Sequence, residues 1–358
     1  MNNSFALASI FIFLLTILPQ IRSPVWWIRG LDFPRLQIAI VACCWLAVAL
    51  LVSSRGFTIE WPWWALVIFS AIVQVWWIYP YTRWHKLEVA RSDEHHNDAE
   101  LSLLTCNVLM ENRDAQPLIR LVKQHRPDIL ATLETDTWWQ TQLDVLDEYP
   151  HRVAHPLDNR YGMHIYSRLP LLRSTVSFLV EDDVPSMGIE VQPNNAVRVK
   201  IHILHPRPPA PGENYSSTER DVELLVLAKH LQDSTSPLIV SGDLNDVAWS
   251  RTTRLFRRIS GLLDIRVGRG MFNTFHAEFP VFRWPLDHIF VSGHFKVKRI
   301  ERLPYIGSDH FPVLAQLVCE STDDQEPHLK LEDSDQALID ETMDTEAAAQ
   351  ATDPRLPA

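Results

Sequence analysis

Leu238-Ile-Val-Ser-Gly-Asp243-Leu-Asn245-Asp246 is the stretch on which the fold turns. An apolar run passes through a small pair and then breaks on a carboxylate and an amide. Uninterrupted apolar character suits a strand buried on both faces, as in layered α/β proteins. Polar groups at its carboxyl end would face the loops where such folds place their sites. Taken alone, Gly242-Asp243 is also an ordinary turn signal.

The same construction recurs along the chain. Leu103-Leu-Thr-Cys-Asn107 ends on an amide, Ile129-Leu-Ala-Thr-Leu-Glu134 on a carboxylate, and Ile201-His-Ile-Leu-His205 on an imidazole followed by proline. Pro285-Leu-Asp287-His288 opens a strand with an acid, and Gly307-Ser308-Asp309-His310 precedes the last strand with an acid and an imidazole. Each has a plain alternative: Asn107 caps a turn, Glu134 is a solvated strand end, His205-Pro is an extended corner. Together they are hard to dismiss, because carboxylates beside buried strands are costly to desolvate without a partner. A cation supplies one.

Helical patterns over Gln116–His125 and Ser217–Gln232 alternate with strands over Leu101–Asn107, Asp128–Glu134, Val197–Leu204, Pro237–Gly242, Leu286–Ser292 and Val313–Val318. That alternation predicts an α/β layered fold.

The ordered series Cys-Asn107, Leu-Glu134, Gly162 to Ser167-Arg168-Leu-Pro, His205-Pro, Gly-Asp243-Leu-Asn245, Asp287-His and Gly-Ser-Asp309-His310 resembles the endonuclease/exonuclease/phosphatase superfamily over roughly residues 100–319. The resemblance implies a four-layer αββα sandwich and Mg²⁺-assisted hydrolysis of a phosphate ester, with Mn²⁺ as a substitute ion. Members include pancreatic-type deoxyribonucleases, abasic-site endonucleases, sphingomyelinases and inositol polyphosphate phosphatases; a bacterial membrane-anchored subgroup looks nearest. It implies Glu134 as metal ligand, with Asn107 assisting through its amide oxygen or binding phosphate, and Asp309 approaching the same ion. Asp243 and Asn245 would orient the water or leaving group. His310 would sit on the phosphate with Asp287 on its other ring nitrogen, and His205 would contact a phosphate oxygen. Whether Asp243 or His310 takes the water's proton is open. Asp246 reads as a cap for a Val247–Ile259 helix. His288 falls on the opposite strand face from Asp287. Arg160, Arg168 and Arg207 suit either phosphate binding or surface ion pairs.

Ahead of this body lie three uncharged apolar stretches, about 4–21, 36–53 and 61–80, each near the ~20 residues that cross a bilayer. Nine of thirteen tryptophans fall between Trp26 and Trp84, clustering at the edges of these stretches, where amphipathic rings favour the headgroup zone. Met1-Asn-Asn-Ser4 lacks a basic start and Leu18-Pro-Gln-Ile-Arg22 offers no cleavage signal, so an anchor over 1–87 is expected rather than a signal peptide. Arg22, Arg29, Arg35, Arg83, Lys86 and Arg91 oppose Arg55 alone, which places the first loop and the C-terminal body in the cytoplasm, as in a bacterial inner membrane.

Residues 88–100 read as a polar linker, with His95 and His96 as solvated side chains. The tail from 320 onward carries a net charge of −10, leaving −1 for residues 1–319. Its composition predicts disorder with at most a fraying helix over Ser334–Gln350. The nearly neutral body disfavours long duplex nucleic acid, although Arg251, Arg254, Arg257 and Arg258 at helical spacing could track a backbone. Four cysteines without paired spacing read as buried small hydrophobes rather than disulfides or a zinc site. The expected function is a membrane-anchored phosphodiesterase or nuclease-like hydrolase, with the bilayer and a nucleic acid or lipid head group as partners. A lipid-headgroup or inositol-phosphate phosphoesterase and a non-catalytic membrane scaffold are the alternatives.

Overall fold

The computed structural model describes residues 2–92, 99–194, 197–320 and 329–352. Its first elements are helices α1 (Asn2–Ile17), α2 (Trp26–Gly30), α3 (Arg35–Ser54) and α4 (Trp61–Ile78). Segments Asn3–Gln20, Arg35–Ser54 and Trp61–Tyr81 are long and apolar enough to cross a membrane. They pack through Ile12, Ile38, Ala42 and Val67. Cys43 and Cys44, expected to be buried, face outward on α3, whereas Cys106 and Cys319 are buried. The reason is that an all-apolar helix touches its neighbours on one side only.

Next come β1 (Ala99–Asn107), α5 (Gln116–His125), β2 (Ile129–Leu133), α6 (Thr137–Leu143), β3 (His151–His155), β4 (Met163–Ser167), β5 (Leu171–Phe178), β6 (Pro185–Val191) and β7 (Val199–Leu204). They are followed by α7 (Thr218–Leu231), β8 (Leu238–Asp243), α8 (Arg251–Ser260), β9 (Leu263–Asp264), β10 (Asp287–Val291), β11 (Phe295–Arg302) and β12 (Val313–Cys319). Two six-stranded mixed sheets result, ordered β11-β12-β1-β2-β4-β3 and β5-β6-β7-β8-β10-β9.

Side-chain alternation explains why the strands read as unbroken apolar runs. Leu101, Leu103, Ile239, Ile289, Val291, Ala315 and Leu317 fill the space between the sheets. The intervening Leu104, Cys106 and Leu314 meet α5 and α6 on one outer face. Leu238, Val240 and Phe290 meet α7 and α8 on the other. The inner strands such as β2, β4, β8 and β10 are buried on both sides, while β3, β5 and β11 are partly exposed, giving the four-layer αββα sandwich.

Three expectations are corrected. The linker over 88–100 is partly built into the domain: Val89 lies in the central core, and buried Glu88 pairs with Arg257 while accepting from Asp264 N at 2.9 Å. A buried carboxylate needs such partners, and a composition scan does not reveal them. His95 and His96 lie outside the described residues. The tail expected to be disordered contains α9 (Asp333–Met343) and α10 (Glu346–Gln350). Ile339 is buried and Leu338 and Met343 pack against the α7–α8 cluster, while Arg258 binds Glu332 at 2.7 Å and Asp335 at 2.8 Å. A short apolar stripe and one arginine are enough to hold an acidic helix; residues 321–328 and 353–358 lie outside the described set. Finally, the cap of α8 is Ser250, whose side chain accepts from Thr253 N. Asp246 serves elsewhere.

Candidate active site

The site forms where the two sheets meet at the carboxyl ends of their parallel pairs. Parallel pairing of β1 with β2 sets Asn107 opposite Leu133, so Glu134 emerges next to the Asn107 side chain. In the second sheet, β7 and β8 pair in parallel with Leu204 opposite Gly242, bringing His205 beside Asp243. Gly242 has φ +140°, and a Cβ there would lie 1.9 Å from Leu204 O, so only glycine permits this approach. Antiparallel β8 and β10 set Asp287 directly opposite Asp243. His310, from the loop before β12, completes the group. Beneath it, the Thr105 and Ser241 hydroxyls meet at 2.8 Å across the sheets.

His310 is held on both ring nitrogens. Nδ1 meets Asp287 Oδ2 at 2.8 Å and Nε2 lies 3.3 Å from Asp243 Oδ2. Asp243 Oδ1 accepts from Asn245 N at 2.9 Å, and Asn107 Nδ2 donates to Asp243 Oδ2 at 3.3 Å and to Glu134 Oε1 at 2.8 Å. Ser308 Oγ donates to Asn107 O at 2.8 Å and accepts from His310 N at 3.0 Å, tying the two loops together. Glu134 and Asn245 both take left-handed backbone, φ 60° and 50°, a conformation that costs non-glycine residues roughly 1 kcal/mol or more.

The charges are mutually arranged. Burial opposes a charge on His310, but Asp287 and Asp243 lift its pKa to about 10. Burial likewise opposes the Asp287 carboxylate, yet His310 holds it below the usual range. Burial pushes Asp243 up to about 7 despite His310. Glu134 rises to about 7, again chiefly through burial, with Asp309 and Asp243 adding repulsion against the relief from Asn107 and His310. Burial, then His310, lowers His205 to about 3.

The sequence-derived residues therefore converge, with differences in detail. Asn107 presents nitrogen, not oxygen, to the acids, because its Oδ1 accepts the Leu109 N–H at 3.0 Å and an N–H can only donate. It is a clamp on two carboxylates, which corrects its reading as an oxygen ligand. Asp309 is partly exposed and lies within electrostatic reach of Glu134. His205 is buried, its ring tilted against Tyr161 at 5.3 Å and 3.8 Å from Asp243; its Nδ1 finds no partner among the described residues. Asn245 Nδ2 donates to Pro206 O at 3.0 Å. Arg160 pairs with Glu111, Arg168 lies 3.6 Å from Asp128, and Arg207 pairs with Glu181 and Asp183.

The proposed α8 arginine track is absent as a free surface. Arg257 is buried on Glu88, Arg258 holds α9, Arg254 lies over Trp77 at 4.7 Å, and Arg251 donates to Gln20 O at 3.0 Å.

Sequence reasoning undervalued Asp246. Buried Arg29 and Arg220 converge on its Oδ2 at 3.3 and 3.1 Å, His288 Nε2 lies 2.9 Å from its backbone O, and Arg220 also donates to Asn245 O at 2.7 Å. Asp246 thus joins the Gly-Asp-x-Asn loop to the segment between α1 and α3. The Asp243-Leu-Asn245-Asp246 stretch, polar at three of four positions, was its only sequence signal. Tyr161 gave none.

A cation fits beside Glu134. Its carboxylate accepts only neutral donors, Asn107 Nδ2 and Met110 N, faces Asp243 and Asp309, and has no Lys or Arg within ion-pair distance among the described residues. Asp243, Asp287 and His310 also have ligand atoms within 4.8 Å of one another and by spacing could hold a metal. Their hydrogen bonds already pair them, however, and an ion there would displace the Asp287–His310 contact.

Two mixed sheets flanked by helices, with this polar seam, define a phosphoesterase-type sandwich. Residues 104–310 match the Endonuclease/Exonuclease/phosphatase family, more than half of the chain, and the chain belongs to that family of hydrolases acting on phosphate esters. Zebrafish (D. rerio) TDP2 complexed with a single-strand DNA product has TM-score 0.52 at 16% identity, covering 62% of this chain and 99% of that one. A Bacteroides thetaiotaomicron member gives 0.51 at 18% identity over 63% and 98%. The human Nocturnin catalytic domain with bound sulfate gives 0.50 at 17% over 65% and 97%. At these identities the likeness is one of fold. A UPF0294 protein of Vibrio cholerae is 31% identical over 104 residues, 28% of this chain and 35% of that relative, so the match spans about a third of its length.

Proposed function

We propose that this protein is a membrane-anchored, divalent-metal-dependent phosphodiesterase whose catalytic domain works at the cytoplasmic face of the membrane. The observation that carries the reading is the His310 ring held between Asp287 and Asp243, beside an acidic Glu134 that lacks a cationic partner.

Glu134 and Asp309 would hold Mg²⁺ or Mn²⁺, with Asn107 fixing the Glu134 carboxylate. Such an ion, when bound, polarises phosphoryl oxygens as a Lewis acid. Asp287 fixes the ring so that its charged Nε2–H faces Asp243 within the seam, where a bound phosphate would lie close to the positive ring. With both ring nitrogens facing carboxylates, His310 has no lone pair free for a water proton. Asp243, gripped by Asn245 N–H and Asn107, retains acceptor capacity and takes that proton. His205 offers its unpartnered Nδ1 to a substrate oxygen.

A lipid headgroup is favoured over long nucleic acid. The α8 arginines are engaged within the protein. A separate open groove of about 570 Å³ is lined by Arg83, Arg269, Arg283 and Arg302, none of them in an ion pair among the described residues. Arg283 and Arg302 lie over Phe311 at 4.9 and 4.5 Å, one residue from His310, while Arg83 follows closely on the Trp61–Tyr81 segment. The groove so links the catalytic seam to the end of an apolar helix.

The test is hydrolysis by the purified full chain of a chromogenic bis-aryl phosphodiester, single-stranded DNA and phospholipid headgroups, with chelator and with added Mg²⁺ or Mn²⁺. Chelator-sensitive cleavage restored by metal is expected, strongest on lipid. No metal-dependent cleavage of any of the three would defeat the proposal. For sidedness, Lys86→Cys with Cys43 and Cys44 replaced by alanine should resist impermeant maleimide in intact cells; labelling from outside reverses the orientation.

A further inference from the structure

Lined by residues separate from those of the arginine groove, a cavity of about 140 Å³ lies where the segment leaving α1 meets α8 and α9, bounded by Arg22, Arg29, Arg251, Thr252, Asp221 and Glu341. It shares no residue with the catalytic seam. Arg29 is only 8% exposed, and its Nε finds no hydrogen-bond partner among the described residues, although its terminal nitrogen reaches Thr252 Oγ1 at 2.8 Å. Among the described residues, Arg251 donates only to Gln20 O, at 3.0 Å. Neither Arg22 nor Arg251 has a carboxylate within ion-pair distance among the described residues. Of the two acids in the wall, Asp221 is taken by Arg220 and Ser217. Arg29 is compensated by Asp32 and Asp246. Burial, then Arg29 and Arg22, push the Arg251 guanidinium below its ordinary pKa against the opposing pull of Asp32 and Glu341. Arg22 and Arg251 are left as guanidinium groups without a direct carboxylate partner among the described residues. Arg251 is also the first residue of α8, where the helix dipole favours an anion.

The cavity's depth is set by its neighbours. Arg22 follows directly on the apolar segment Asn3–Gln20, and Gln20 itself anchors Arg251. A cavity built on those residues opens at the level of lipid phosphates, where juxtamembrane arginines gain from an acidic surface.

We propose that this cavity binds the phosphate of an anionic phospholipid, fastening the α1 exit to the catalytic domain. The assignment rests on the three apolar helices being membrane spans and is independent of the reaction catalysed. Guanidinium-to-phosphate contacts are charge-assisted and strong, and neutral phosphatidylcholine carries a choline cation that the three arginines would repel.

The test uses the full chain in neutral detergent, with native mass spectrometry of bound phosphatidylglycerol against phosphatidylcholine and a parallel titration with inorganic phosphate. Retained phosphatidylglycerol is expected, weakened roughly tenfold per guanidinium lost in Arg22→Gln and Arg251→Gln and kept in Arg251→Lys. Asp243→Asn, which removes the proposed proton acceptor, should bind lipid unchanged. Equal retention of the two lipids, or undiminished retention in a doubly substituted, folded protein, overturns the proposal. So does inorganic phosphate competing at equal concentration, which would mark a soluble-anion pocket. Release of the chain from membranes by alkaline carbonate would instead defeat the membrane reading on which it stands.

Discussion

At the scale of single residues, the site is defined by which groups have partners. Asp243 is held by three donors and His310 by two acids, so a change at either leaves the remaining groups in place. Asp243→Asn and His310→Gln should each lower kcat/KM on a soluble phosphodiester by about 10²–10⁴-fold, the usual contribution of a positioned acid or base. Thermal unfolding should shift little for Asp243→Asn, whereas His310→Gln also strips the buried Asp287 carboxylate of its cation and lowers the midpoint. Activity within a few-fold of the parent protein in both would remove them from the chemistry. Glu134→Gln should act differently, raising the metal concentration for half-maximal rate by at least about tenfold through loss of a hard anionic ligand; an unchanged metal titration contradicts that role.

Much of this seam was legible in the sequence. Asn107, Glu134, His205, Asp243, Asp287 and His310, flagged for their polarity at strand ends, lie in one cluster, because a polar group at the end of an apolar strand has few places to go in a layered fold. What could not be read was orientation. The direction of the Asn107 amide depends on Leu109 N–H two residues on, and the function of Asp246 depends on Arg29, 217 positions away in sequence. Periodicity carries no information about such pairs.

At the scale of elements, the departures occur where polar segments were read by composition. Only a fraying helix was expected in the tail over 334–350, yet α9 docks there, presenting Leu338, Ile339 and Met343 to the α7–α8 face, and its acids meet Arg258. Burial of even one aliphatic side chain contributes about 1.5–3 kcal/mol, so ending the chain at Glu320 should lower the unfolding midpoint measurably without abolishing folding. An unchanged midpoint would mean that α9 does not dock in solution. The Glu88–Arg257 pair should matter more. Glu88→Gln leaves a buried guanidinium uncompensated, a loss of about 3–5 kcal/mol, whereas the exposed pair Arg126–Glu148 at 2.9 Å should be nearly silent on substitution. Equal effects of the two would refute the burial argument.

At the scale of the whole molecule, acid stability reports on histidines buried in the sandwich. Burial lowers His164 to about 4, and burial followed by His230 and Lys200 does the same to His202. Their folded values lie below the ordinary 6.5, so the unfolded chain takes up protons first as pH falls. Stability from keeping them neutral is intact above about pH 6.5 and drains away towards pH 4, at about 1.4 kcal/mol per pH unit for each ring. Glu223, pushed up to about 8 by burial, has the opposite slope from about pH 4.5 upward, so the comparison should be made on variants. His164→Gln and His202→Gln should each flatten the decline between pH 6.5 and 4.5, followed by chemical denaturation; an unaltered slope would show that the rings protonate in place.

The segment between α1 and α3 also bears on how portable this catalytic unit is. Trp249 Nε1 donates to Asp32 O at 2.7 Å, Trp26 N to Tyr215 O at 3.1 Å, Ser217 N to Pro24 O at 2.9 Å, and Gln37 Nε2 to Val281 O at 2.6 Å. A gene fragment cut at the start of β1 would strip all four away, bare the Trp249 indole, and leave Asp246 one arginine short on the loop that follows Asp243. The hydrolase is therefore a poor cassette for grafting. In any chimera, residues 22–37 belong to the sandwich as much as to the three apolar helices, and a swap of leader sequences would have to leave them behind with the sandwich.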